Sequence, residues 1–137
     1  MCLTTFGNTK ANRKCATRDI VCYKVFVISL DDFLQPTVIN SMYHRTNVPW
    51  KIGVTKTAEK SPFIYCGEVK GGYFHSYRDW VDAQQIIKRG DGTRRLMVFK
   101  CVIPKGTWYY TGIHSDGFDG YASKQLRIVG AFENIKV

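Results

Sequence analysis

Acidic side chains are scarce in this 137-residue chain: 11 Asp and Glu stand against 20 Lys and Arg, for a formal charge of +9 at pH 7. Hydrolytic, phosphoryl-transfer or two-carboxylate chemistry has little to draw on. The five cysteines, Cys2, Cys15, Cys22, Cys66 and Cys101, are odd in number and scattered, without a C-x-x-C pair or a His at zinc-finger spacing. That argues against a disulfide framework and against structural zinc. Gly71-Gly72 and the glycines around Gly112 complete neither a dinucleotide fingerprint nor a P-loop, and no Ser or Cys has a base at a recognisable spacing. Asp116-Gly117-Phe118-Asp119-Gly120 lacks the third acidic position and the distal glutamate of a calcium loop, so no metal and no cofactor is expected. No apolar run is long enough to span a bilayer and no signal peptide is visible, so a cytosolic protein without a membrane partner is expected. Internal repeats and low-complexity segments are missing as well.

What the chain does have is positive charge, aromatic rings and strand-like alternation. The charge favours anionic partners, whether nucleotide, nucleic acid or acidic protein, although the cations are dispersed in short groups such as Arg13-Lys14 and Arg94-Arg95. The length suits a single domain over 1–137, opening with an irregular basic lead-in over 1–18. Asp19 to Leu30 reads as a central strand because both parities are apolar, with Cys22 and, beyond the helix, Cys101 acting as inert small hydrophobes. Lys24 is the lone charge in that strand, and either snorkels to an edge or faces a functional cavity. Residues 31–61 form a long polar stretch, broken by Pro36 and Pro49, that suits a ligand-covering loop or one pinning itself to the body. Phe63 to Val69 follows as a strand.

Ser76 then reads as the N-cap of a helix over about 76–89, with Asp79 as its capping-box partner, Tyr77, Trp80, Ala83 and Ile87 on one face, and Arg89-Gly90 as the stop. Arg95 to Ile103 alternates clearly, Trp108 to Tyr110 begins another strand, Gly112 to Gly120 reads as a flexible exposed loop, and Gln125 to Val129 closes the sheet. The expected fold is α+β, a mainly antiparallel curved sheet with one principal helix.

Candidate ligand groups cluster by type at strand ends and loops. Tyr23, Tyr43, Tyr110 and Tyr121 can stack or line a pocket, while Lys24, His75, Ser76, Ser123 and Lys124 can hold phosphate or ribose. The competing reading is an aromatic core with satisfied hydroxyls.

Met1-Cys2-Leu3, Asp19 to Val25, Gly72-x-Phe74-His75-Ser76-Tyr77, Cys101-Val102-Ile103-Pro104-Lys105-Gly106 with Tyr109-Tyr110-Thr111-Gly112, and Tyr121 to Leu126 together resemble small proteins encoded by tailed phages and gut Bacteroidetes. The resemblance covers most of the chain and brings no catalytic residues. It implies a phage or prophage accessory protein in the cytoplasm of a bacterial host, and with the basic, aromatic-rich composition the expected function is non-enzymatic binding of a nucleotide-like anion, as a counter-defence sponge for an immune signal. A nucleic-acid-binding module is one alternative. A divergent ADP-ribosyl-transferring enzyme is another, from the strand at Ile20 and the Phe74-His75-Ser76 turn, but Glu133 has no second acidic partner. A homo-oligomer with a shared pocket stays open.

Overall fold

The computed structural model describes residues 3–5, 12–30, 36–41, 49–65, 67–89 and 95–131. Its strands are β1 (Leu3–Thr4), β2 (Lys14–Cys15), β3 (Ile20–Leu30), β4 (Pro36–Ser41), β5 (Thr55–Thr57), β6 (Phe63–Tyr65), β7 (Glu68–Lys70), β8 (Phe74–Tyr77), β9 (Leu96–Ile103), β10 (Trp108–His114), β11 (Asp119–Ser123) and β12 (Gln125–Ala131). Helix α1 (Trp80–Arg89) lies between β8 and β9. The strands make one sheet in the order β5-β12-β9-β3-β8-β11-β10-β1-β7-β6, with β4 added to β3 and β2 to β10. Their pairings are antiparallel, so the fold is α+β and dominated by sheet.

Strand β3 is central because its sequence is apolar on both faces. One edge runs against β9 from Ile20↔Ile103 to Val27↔Leu96. The other edge meets β8 only at Tyr23↔Tyr77 before β4 takes over from Phe26↔Ser41. The sheet therefore has two cores. On one face Cys22, Phe26, Phe99, Cys101, Ile103, Leu126 and Ile128 pack with Trp50 and Ile39, and Phe74, Tyr109 and Tyr121 join from the far strands. Phe26 meets Trp50 and Phe99 edge-on at centroid distances of 5.3 and 5.5 Å, and Trp50 meets Phe74 at 4.8 Å. On the opposite face α1 lays Ala83, Ile86 and Ile87 over Tyr23, Val25, Tyr77 and Val98, beside a smaller cluster of Leu3, Val69, Tyr73, Tyr110 and Ala122.

Three local expectations change. The helix begins at Trp80, so Ser76 is no cap: Ser76 and Tyr77 belong to β8, whose backbone pairs with Tyr121 and Gly120 of β11. A ladder along a whole strand outweighs one capping bond, and the carbonyl of Asp79 instead accepts the first helical bond from Ala83 N at 3.3 Å. Phe63 to Val69 is not a single strand but the hairpin β6–β7, reversed around Gly67 at φ 76°. Gly112 to Gly120 is likewise no flexible loop. Gly112 and Gly120 face each other across the β10–β11 hairpin, and a Cβ on either would overlap neighbouring atoms, the Thr4 carbonyl oxygen for Gly112 and the His114 ring and Ser76 carbonyl for Gly120. Both glycines are there to let backbone and ring approach. Within 31–61, β4 and β5 form and Trp50 is pinned by its N–H to Ile39 O at 2.8 Å. Its buried indole is closed to base stacking.

Candidate functional site

The register decides which candidate residues meet. Antiparallel partners share a face, so Tyr121 opposite Ser76, and Ser123 opposite Phe74, stand on the face of the larger core. Lys24 has the parity of Cys22 and Phe26 and points to that same face. The Tyr23↔Tyr77 pair sets Lys24 beside Ser76 on the adjoining strand. Lys24, Ser76, Tyr121 and Ser123 are thus brought together. Tyr23, His75 and Tyr110 stand on the helix-bearing face and are separated from them by the thickness of the sheet. Lys124 is exposed at the corner between β11 and β12, and Tyr43 lies outside the described residues.

Lys24 is the electrostatic centre of the first group. Its Nζ donates to His75 O at 2.6 Å and lies 5.7 Å from the Phe26 ring centroid. Among the described residues no carboxylate pairs with it. The residue keeps some surface, yet protein atoms crowd its amine, and this burial lowers its pKa from 10.5 to about 8. On the same face the hydroxyls of Ser76 and Ser123 are buried; Ser123 Oγ has no hydrogen-bond partner, and Ser76 Oγ has only the Cys22 thiol beside it. Ser76 Oγ faces the Cys22 thiol, which burial pushes up to about 12 against the smaller opposing pulls of Ser76 and Lys24. Burial also holds Cys101 well above its usual range and raises Tyr121. Both core thiols are therefore protonated and poor nucleophiles at neutral pH. The resulting array is one enclosed ammonium, two buried hydroxyls and a phenol on a single face. Such an array can hold an anion or a carbonyl oxygen, and it supplies no carboxylate base.

The opposite face carries a histidine pair. His75 Nε2 contacts Val69 O at 3.2 Å and His114 Nε2 contacts Ser76 O at 2.7 Å, with 5.6 Å between the rings. The carbonyls accept only from N–H, so each Nε2 carries the proton in the neutral ring. Burial first, then the charges of Lys24 and His114, lowers His75 from 6.5 to about 3, and burial also lowers His114. The Tyr77 hydroxyl donates to Asp116, and Asp119 pairs with Arg78 at 2.8 Å. These carboxylates are engaged in holding the hairpin. No group of three or more His, Cys, Asp or Glu among the described residues is placed to hold a metal ion, and no described helix is long and apolar enough to cross a membrane.

Sequence reasoning gave no role to His114, hidden in a glycine-rich stretch that reads as loop; Cys22 and Cys101, expected as inert small hydrophobes, are buried directly opposite each other beside Lys24. Comparison with known proteins adds nothing to this geometry: no family model, curated protein or solved structure matches the chain.

Proposed function

We propose that the protein is a non-enzymatic binder of a nucleotide-like anion. The single observation that carries this reading is Lys24: an ammonium enclosed in the sheet, at a cost to folding, without a carboxylate among the described residues to neutralise it. An ion held so invites a ligand of opposite charge. The buried hydroxyls of Ser76 and Ser123 offer hydrogen bonds to phosphate or ribose oxygens, and Tyr121 offers a ring. The net charge of +9 draws such a ligand in.

We read this binder, from the resemblance of its motifs to phage and Bacteroidetes proteins, as a counter-defence sponge that sequesters a signalling nucleotide in a bacterial host's cytoplasm. ADP-ribosyl transfer has less behind it, since His75 is committed to Val69 O on the other face from Lys24.

The test is to equilibrate the protein with NAD, ADP-ribose and cyclic dinucleotides, then to identify what is retained and what is present after denaturation by mass spectrometry. Intact recovery of one compound, lost in Lys24→Met, supports the proposal. Conversion to a product establishes an enzyme instead, and no retention of any of them refutes the binder.

A further inference from the structure

A second surface lies apart from Lys24, at the end of the sheet where β2 meets the start of β10. Trp108 is 41% exposed, unusually open for the largest apolar side chain. Its orientation is set from two sides. Backbone pairing joins Trp108 to Cys15 and Tyr109 to Lys14, and the Arg13 guanidinium lies over the indole, 4.5 Å from the ring centroid. The same end carries Lys124, whose N–H donates to Trp108 O at 3.0 Å, and Lys105, in the turn that enters β10. Gly106 N to Ala16 O at 2.7 Å and Ala16 N to Thr107 O at 2.9 Å clamp that turn to the segment carrying Arg18.

Arg13, Arg18, Lys105 and Lys124 are all exposed, and none is ion-paired among the described residues. Two acids come near. Asp19 spends one carboxylate oxygen on Lys105 N at 2.8 Å, and Glu59 faces Lys56. Free cations therefore surround a fixed, accessible ring.

From this we infer that the Trp108 end of the sheet is a binding surface for single-stranded nucleic acid, in which an unstacked base packs on the Trp108–Arg13 pair and the surrounding Lys and Arg side chains meet the phosphates. A single strand fits better than a duplex, because an indole held against Arg13 can only receive a base that is free of its own stack. The surface is independent of the Lys24 array. Trp108 shares the parity of Tyr110, on the opposite face of the sheet from Ser76 and Tyr121.

Fluorescence anisotropy with labelled oligo(dT) and oligo(rU) on the order of ten nucleotides tests it. Binding is expected to weaken with salt with a log–log slope of roughly −3, as for about four phosphates neutralised on a single strand. Trp108→Ala should lose roughly tenfold or more in affinity, Trp108→Phe should recover part of it, and Lys105→Ala with Lys124→Ala should flatten the salt slope. Trp108 is exposed and its backbone bonds survive substitution, so circular dichroism should show both variants folded. Lys24→Met must leave oligonucleotide binding intact while abolishing retention of any small nucleotide. No oligonucleotide binding, equal affinity of wild type and Trp108→Ala, equal competition by polyglutamate, or loss of both activities in Lys24→Met would each overturn the inference.

Discussion

Lys24 Nζ donates to the carbonyl of His75 at 2.6 Å, tying β3 to β8 at the place where the two strands share a single ladder pair, Tyr23↔Tyr77. One charged side chain thus bridges a thin seam in the sheet and brings an ammonium between two cores. Its burden on the fold is measurable. Because burial puts the folded pKa near 8, below the unfolded value of 10.5, the unfolded chain binds the extra proton between those values and stability rises with pH across that window.

The first prediction is that unfolding free energy of the wild type, relative to Lys24→Met, climbs by about 1.4 kcal/mol per pH unit between pH 8 and 10.5. At pH 7 the Met variant should be the more stable by about 1 kcal/mol, since removing a buried charge outweighs leaving His75 O without its donor. Urea titrations at several pH values check both, and parallel curves for the two proteins would contradict the assignment.

Acid should act through the histidines. His75 is held near 3 against an ordinary 6.5, so the unfolded state binds its proton first as pH falls, and stability is fully present above about 6.5 and lost toward 3. The loss should run at about 1.4 kcal/mol per pH unit from His75 alone, with His114 shifting in the same direction and adding to it. In His75→Gln the stability curve between pH 6 and 4 should be markedly flatter; thermal melts across that range decide.

Ser76 and Asp79 separate two accounts of where the helix starts. With Ser76 Oγ buried and facing only the weakly bonding Cys22 thiol, Ser76→Ala should be close to neutral, whereas Asp79→Ala should cost about 1 kcal/mol at the helix N-terminus. A cost of that size at Ser76 would restore it as the cap. Ser76→Ala should still weaken the proposed anion binding.

Glycines in the β10–β11 hairpin should differ sharply from one in β12. Gly112→Ala and Gly120→Ala place a methyl into backbone or into the His114 ring and should each cost about 3 kcal/mol or more, while Gly130→Ala meets nothing within 4 Å and should change stability by under about 1 kcal/mol. Chemical denaturation of the three variants is sufficient.

Thiol accessibility gives the last check. Cys15 is exposed and should alkylate with iodoacetamide in the native protein, whereas Cys22 and Cys101, buried and protonated, should label only on unfolding. Peptide mapping reads each site separately.

Local chemistry was enough to make several elements legible in the sequence. Two-sided apolarity marked β3 as central, alternation from Arg95 to Ile103 marked β9, and the Ala83 and Ile87 spacing marked the buried side of α1, because burial demands a period that the residues themselves carry. The excess of cations was equally plain. Tertiary structure decided what no period contains. Whether Ser76 caps a helix or pairs in a sheet depended on a partner strand more than forty residues away, and Gly112, Gly117 and Gly120 around His114 read as loop until β10 and β11 paired. Above all, the grouping of the candidate site was set by register: a step of one residue moves a side chain to the other face of a sheet, so Ser76 meets Lys24 and Tyr121 while its neighbour His75 faces away toward His114. Residue type named the chemistry that could bind an anion, and only the pairing of β3, β8 and β11 determined which of those groups share one face.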